Sequence, residues 1–377
     1  MTHSTLDCPA LAEFTFFRGR VGLSAILRAL GIGKGDSVAI QAFTCVAVPE
    51  GIMAAGATPR YVDIERGGVN MDPDDLRTRI DGTTKAIVVQ HTFGIPADLE
   101  RILKVAQGRN LVVIEDCCHT IQSRYRERAV GSFGVAAFYS FEWGKPLVAG
   151  LGGSVLCNDT KLLESLKDHY KMYVWPDTLS NVKIMLQYIG FSLAYRPKLY
   201  WQIKRLYHFL AKMHLIEGSY HAAQDGFETV PDFRKRMVRK CRSRLIARLS
   251  GLEEVTKHSR LIASEYERLL SSRFLRAPLV PEGSDVVYAR YPLIAANKHE
   301  IVASAEKAGI EIASWYATPV HPLKGEDLAL VKYILGSCAR AEAMAERIIS
   351  LPTNEKTGAK SAHRVIRFLN PQGIARP

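Results

Sequence analysis

The stretch Leu111-Val112-Val113-Ile114-Glu115-Asp116-Cys117-Cys118-His119 decides how this chain is read. An uninterrupted apolar run of this length, bounded by polar residues, is the pattern of a strand buried on both faces of a parallel sheet. It ends in an acid and an imidazole, and in open α/β sheets ligand-binding groups gather at the carboxyl ends of the strands. A second apolar run, Val135 to Tyr139, leads into Ser140-Phe141-Glu142-Trp143-Gly144-Lys145 and then the glycine cluster Gly150-Leu151-Gly152-Gly153. A lysine in that position can be held with its amine desolvated, the state in which it reacts with an aldehyde.

Outward from these runs the chain alternates helical and strand patterns. Val21 to Leu30 reads as a helix, Ser37 to Ala42 as a strand, Thr44 to Ala55 as a helix and Thr58 to Ile64 as a strand. Asp72-Pro73-Asp74-Asp75-Leu76 carries the proline and acids of a helix start. Lys85 to Gln90 is a strand and Ala97 to Gln107 a helix. Repeated units of this length predict right-handed crossovers and a mainly parallel sheet, so the fold class is α/β. A large domain is expected over residues 1–250, carrying an aromatic and basic helical insertion at about 160–230, with a smaller C-terminal α+β domain over 251–377. In the latter the patterns predict a strand from Tyr288 to Ala295, a helix from His299 to Ala308, a strand starting at Gly309-Ile310-Glu311-Ile312 and a last helix from Ala341 to Ile349. Arg239 to Leu270 reads as one long helix leading into it.

The 377 residues carry a net charge of +12, which favours anionic partners. The basic residues lie mostly in helical segments and form no nucleic-acid-binding signature, so nucleic acid is not expected as a partner. Seven cysteines, odd in number and without metal-ligand spacing, read as reduced thiols of a cytoplasmic protein, with no metal site. The first twenty residues lack the pattern of a signal peptide, and the apolar stretch Ile184 to Tyr195 is too short to span a bilayer. Around 180–215 basic residues flank aromatic ones on helical patterns. Packing against the body or a second subunit explains such helices, and peripheral contact with an anionic membrane is the alternative.

Taken one at a time, Lys145, Asp116 and His119 have ordinary explanations: a solvated charge, a turn residue, a satisfied structural histidine. As an ordered set, with Ser140, they are the parts that hold pyridoxal 5'-phosphate, an acid for the ring nitrogen and a lysine for the aldehyde. The motifs Glu115-Asp116-Cys117-Cys118-His119, Gly131-Ser132-Phe133-Gly134, Ser140-Phe141 with Lys145, and Gly150-Leu151-Gly152-Gly153 resemble those of the DegT/DnrJ/EryC1/StrS sugar aminotransferases. Arg18-Gly19-Arg20-Val21-Gly22-Leu23, Gly56-Ala57-Thr58-Pro59 with Val62-Asp63, Thr318-Pro319-Val320-His321 and Leu351-Pro352 extend the resemblance over nearly the whole chain outside Thr160 to Val230.

The resemblance implies the fold type I architecture of pyridoxal phosphate-dependent transferases and transfer of an amino group, with glutamate as donor, to a keto-sugar that is nucleotide-linked. It implies Lys145 as the catalytic lysine, Asp116 on the pyridine nitrogen, His119 near the ring and Ser140 on the phosphate. Gly19, Arg20 and Val21 would form the phosphate cup at a helix start. Thr44-Cys45 stands where the family has threonine followed by a ring-stacking aromatic, so that stack is either lost or supplied by Phe43 or His119. Arg20 stands where the family cup has threonine, and Arg234 and Arg236 fall in the stretch that reaches a neighbouring subunit's site, so a homodimer with a shared active site is implied. Trp315, Tyr316 and His321 fall in the substrate-pocket segment. Alternatives are a dehydratase or other non-transaminating enzyme on the same cofactor, and a non-catalytic membrane-surface binding or regulatory protein on the same fold.

Overall fold

The computed structural model describes residues 10–213, 215–217, 231–270 and 275–372, so Cys8 and the expected end of the insertion at 218–230 lie outside the described residues. Its centre is a seven-stranded sheet in the order Phe14–Phe16, Gly153–Cys157, Ala136–Ser140, Val112–Asp116, Thr84–Gln90, Ser37–Gln41, Thr58–Val62. The last five strands pair in parallel, while Gly153–Cys157 runs antiparallel to both its neighbours. Helices Gly19–Ala29, Ala47–Ala54, Pro73–Arg79 and Leu99–Gly108 supply crossovers and cover the sheet, burying Leu23, Ile26 and Ile52 on one side and Leu76, Leu99 and Ile102 on the other. Parallel strands need such crossovers, which explains why these strands are apolar throughout.

Four expectations are corrected, three of them here and the strand at Gly309 to Ile312 below. Arg239 to Leu270 is two helices, Arg239–Leu249 and Leu252–Leu269, broken at Ser250-Gly251, where glycine disfavours helix continuation. Thr44 to Ala55 begins as the short strand Thr44–Cys45, paired with Val320–His321, and turns helical at Ala47. The expected last helix, Ala341 to Ile349, is the short helix Ala339–Ala345 followed by a wholly buried strand, Ile348–Pro352, in which paired isoleucines favour the pleated state.

That strand pairs antiparallel with Arg290–Ala295, and Leu275–Arg276 completes a second sheet. Gly309 to Ile312 forms no strand of it; Ala313 alone bridges to Ser350. The helices Leu252–Leu269, Lys298–Lys307 and Ala359–Gln372 pack on this sheet around Ile262, Tyr266, Leu293, Ile349 and Val365.

Two contacts lock the sheet and what packs on it. Glu115 is wholly buried, and its carboxylate accepts hydrogen bonds from the backbone N–H groups of Gly131 (2.7 Å), Phe133 (2.6 Å) and Gly134 (2.8 Å) and lies 3.2 Å from His91 Nε2. His91 Nδ1 accepts from the Ala97 N–H, so the neutral ring turns its proton to Glu115. Cys117 also approaches His91 and Glu115, but the carboxylate oxygens are already engaged by backbone donors, and the group reads as a structural hub. At the second contact a Cβ on Gly153 would lie 2.5 Å from both N and Cα of Gly19.

Glu115→Ala would leave three buried N–H donors without an acceptor, at about 1–3 kcal/mol each. A loss of about 3 kcal/mol or more in urea-unfolding free energy is expected, and a loss under 1 kcal/mol, about the cost of an average substitution, would show that the carboxylate is not the hub. Gly153→Ala should lower the thermal midpoint and push the Gly19 helix off the sheet, whereas an unchanged midpoint would mean that the two backbones are not held in contact.

Candidate active site

A single pocket wall collects side chains from four strand ends and one helix start. Asp116 closes Val112–Asp116, Ser140 closes Ala136–Ser140, Gln90 closes Thr84–Gln90, Cys45 closes Thr44–Cys45, and Gly19 and Arg20 open their helix; all line the same cavity with His119 and Lys145. Lys145 sits in the loop joining the antiparallel strands Ala136–Ser140 and Gly153–Cys157. That loop is closed by hydrogen bonds from Phe141 N–H to Gly152 O, Ala149 N–H to Phe141 O and Lys145 N–H to Glu142 O. The amine of half-buried Lys145 lies 5.6 Å from the Trp315 ring centre.

Asp116 is buried, and one carboxylate oxygen accepts the Cys118 N–H at 2.9 Å. Burial pushes the carboxyl above its ordinary range, opposed by that N–H and by the positive charge of Lys145. A cationic partner inside the pocket is what such a carboxyl gains most from. His119 is pushed well below the usual histidine range by burial and by Lys145, so it is neutral. Its Nδ1 accepts from the Phe93 N–H at 3.3 Å, which places the ring proton on Nε2, facing the Tyr316 hydroxyl at 3.4 Å. Its ring stacks on Trp315 with centroids 5.5 Å apart and planes 21° apart.

Of the expected substrate residues, Trp315 and Tyr316 line the pocket, whereas His321 packs behind Tyr316, with ring centroids 5.7 Å apart, and burial pushes it down to about 3. Of the expected cofactor residues, Gly19, Arg20, Cys45, Asp116, His119 and Ser140 line the pocket. Val21 and Thr44 do not: Val21 is a core side chain, and the Thr44 hydroxyl donates to Gln90. The Arg20 guanidinium is paired with buried Glu50. Phe43 is wholly buried and meets Tyr316 edge-on, so of the two ring supports expected from the sequence His119 is the one that faces the pocket.

Arg234 and Arg236 do not enter the pocket of their own chain. Arg234 is exposed, and Arg236 donates to Tyr170 O at 2.9 Å and stacks over the Tyr170 ring. The segment nonetheless touches the rim, because Asp232 lies 3.7 Å from Arg18, a buried pocket residue that also pairs with Glu142 at 3.2 Å. Arg18, Glu142, Trp143 and Gln90 were not singled out by sequence reading; adjacency to Gly19 and Lys145 was the only signal for the first three.

The pocket suits pyridoxal phosphate. The Gly19 helix start is pressed so close to the sheet that a Cβ there would meet Tyr139 O at 3.1 Å and Ser140 Cβ at 3.3 Å. First-turn N–H groups beside a serine hydroxyl make a phosphate cradle. Asp116 offers a buried acid for a ring nitrogen, and Lys145 an amine for an aldehyde.

A model of the DegT/DnrJ/EryC1/StrS aminotransferase family matches residues 14–370. Among curated proteins the chain is 28% identical over 338 residues to the UDP-N-acetyl-3-dehydro-alpha-D-glucosamine 3-aminotransferase of Acidithiobacillus ferrooxidans, covering 89% of this chain and 77% of that protein. It is 29% identical to the pleiotropic regulatory protein of Geobacillus stearothermophilus over the same shares. The match to the GDP-perosamine synthase of Escherichia coli O157:H7, 39% over 150 residues, covers 40% of this chain and only 41% of that enzyme. Among solved structures, the sugar aminotransferase Spr1654 of Streptococcus pneumoniae, described there as putative, superposes in its PMP form with a TM-score of 0.75 at 20% identity, over 96% of this chain and 87% of that one. With the family model spanning almost the entire chain over a pocket of this composition, the protein belongs to the DegT/DnrJ/EryC1/StrS aminotransferases, and its cofactor is pyridoxal phosphate.

Proposed function

We propose that the protein transfers an amino group from L-glutamate to a ketone on a nucleotide-linked sugar, in the formation of an amino sugar for a polysaccharide or a glycosylated metabolite. The observation that carries this reading is the convergence of Lys145, Asp116, His119, Ser140 and the Gly19 helix start on one pocket. The names of the Acidithiobacillus and Escherichia coli relatives, a UDP-sugar aminotransferase and a GDP-perosamine synthase, support the substrate class.

When bound, the cofactor supplies the electron sink that makes the substrate carbon acidic. The protein's residues do the rest. Lys145, at the end of a flexible stem from a tightly closed loop, moves the proton at the reacting carbon. Asp116 keeps a ring nitrogen protonated, a task its buried position strengthens because the pairing is poorly screened. His119, neutral and held by the Phe93 N–H and by Trp315, would stand beside the ring without adding a competing positive charge. Arg18, within the pocket, is available to an anionic group of the substrate by exchange of its acidic partners. We further propose a homodimer in which exposed Arg234, carried on the segment anchored at the rim by Asp232, serves the neighbouring copy's pocket.

Lys145→Ala should reduce glutamate-dependent amination of keto-sugar nucleotides by about a thousandfold or more, since proton transfer by a positioned group contributes about 10²–10⁴. Product formation at an undiminished rate by that variant, followed by mass spectrometry, would assign the proton transfer elsewhere. Asp116→Asn should lower kcat by about a hundredfold while leaving KM for glutamate within a few-fold, because the lost interaction acts mainly in the transition state. A rise in KM at constant kcat would instead make Asp116 a residue of substrate binding.

A further inference from the structure

The segment Thr178 to Lys212 contains six lysines and arginines and not one aspartate or glutamate. It forms two helices, Thr178–Ala194 and Tyr200–Lys212. On the first, Leu179, Val182, Leu186, Ile189 and Leu193 recur at helical spacing and all face outward; Leu186 is 64% and Leu193 71% exposed. The one charged residue of that helix, Lys183, is only partly exposed. This inverts the usual pattern, in which the solvent side of a surface helix is polar. On the second helix Leu206, Phe209 and Met213 form a corresponding row, flanked on one side by exposed Arg205 and Lys212.

The inward faces, in contrast, are fastened by specific bonds. Tyr195 donates to Glu311 at 2.7 Å, the Trp201 indole N–H donates to Ile310 O at 2.7 Å, and Lys356 donates to Ser192 O at 2.7 Å. Phe191 packs on Trp143, a pocket residue, with ring centroids 4.2 Å apart. The helices are therefore held in one orientation that presents the apolar rows to the outside, next to the pocket mouth.

We propose that this face docks on the surface of an anionic lipid bilayer, the apolar rows entering the headgroup boundary and the lysines and arginines meeting acidic headgroups. Charge decides between the possible occupants. A two-fold contact between copies sets the same patch against itself, here basic against basic with no acid in the segment to offset it. An anionic surface complements the stretch from Arg196 to Lys212, which holds five of the six basic residues, and long basic side chains reach headgroups while their stems stay on apolar surface. No helix among the described residues is long and apolar enough to cross a membrane, so the contact is peripheral.

The test is co-sedimentation of the full, cofactor-loaded chain with vesicles of phosphatidylcholine alone and with added phosphatidylglycerol. The protein should pellet with the anionic vesicles and stay largely in solution with the neutral ones. Leu186→Glu with Leu193→Glu should abolish pelleting. Lys198→Gln and Lys212→Gln should each weaken it about fivefold, the worth of one basic residue at an acidic surface. An unchanged visible cofactor spectrum in each variant reports an intact fold. The proposal falls if the wild-type chain ignores anionic vesicles, or if the double glutamate variant pellets as well as wild type. It also falls if that variant instead turns dimers into monomers in sedimentation velocity, which would make the face a contact between copies.

Discussion

The alternation of side chains along Val112–Asp116 is the constraint on which the rest of the site depends. Because consecutive residues of a strand point to opposite faces, Glu115 and Asp116 serve different layers of the molecule. Glu115 turns into the core, where it gathers the N–H groups of the Gly131 to Gly134 turn and the ring of His91. Asp116 turns to the pocket, with one oxygen held by Cys118. The first acid therefore fixes the position of the second: the turn that Glu115 captures leads directly into Ala136–Ser140, the parallel neighbour of the acidic strand, and thence to Lys145. A slip of one residue would exchange the two carboxylates and destroy both sites.

The same economy applies at the Gly19 helix start. Gly19 and Gly153 are juxtaposed with no room for a side chain on Gly153, so the helix start sits against Ser140 and the lysine loop begins and ends beside it. Acid, serine, lysine and helix start thus derive their relative positions from three adjacent strands and one backbone contact. Aromatic packing of His119 against Phe93 and Trp315 fixes the remaining wall.

Much of this could be read in the sequence where the signal was local. Apolar runs ending in Asp116 and Ser140, the second followed closely by Lys145, pointed to the pocket because strand ends in a parallel sheet converge. What the sequence could not convey was partner choice across distance. Arg20 pairs with Glu50, thirty positions away, and Val21 and Thr44 turn from the pocket although their neighbours line it. Ile348 and Ile349 resembled a helix end because they follow Ala341 to Arg347 with no glycine or proline between, and only pairing with Arg290–Ala295 makes Ile348–Pro352 a strand. The terminal helix Ala359–Gln372, outside the expectation, had a plain local signal in Ala362, Val365, Ile366 and Leu369, all buried against the second sheet. Around 180–215 the helical pattern was legible, but which side of each helix faced out was not, since both sides carry apolar residues.

The central claim, that Lys145 and Asp116 make a transaminating pyridoxal phosphate site, is tested most directly by the visible absorbance of the purified protein mixed with the cofactor, before and after glutamate. A yellow band that forms with the wild-type chain, is missing in Lys145→Ala and bleaches when glutamate is added is the predicted result. A band that persists unchanged in Lys145→Ala, or no band with the wild-type chain, would contradict it.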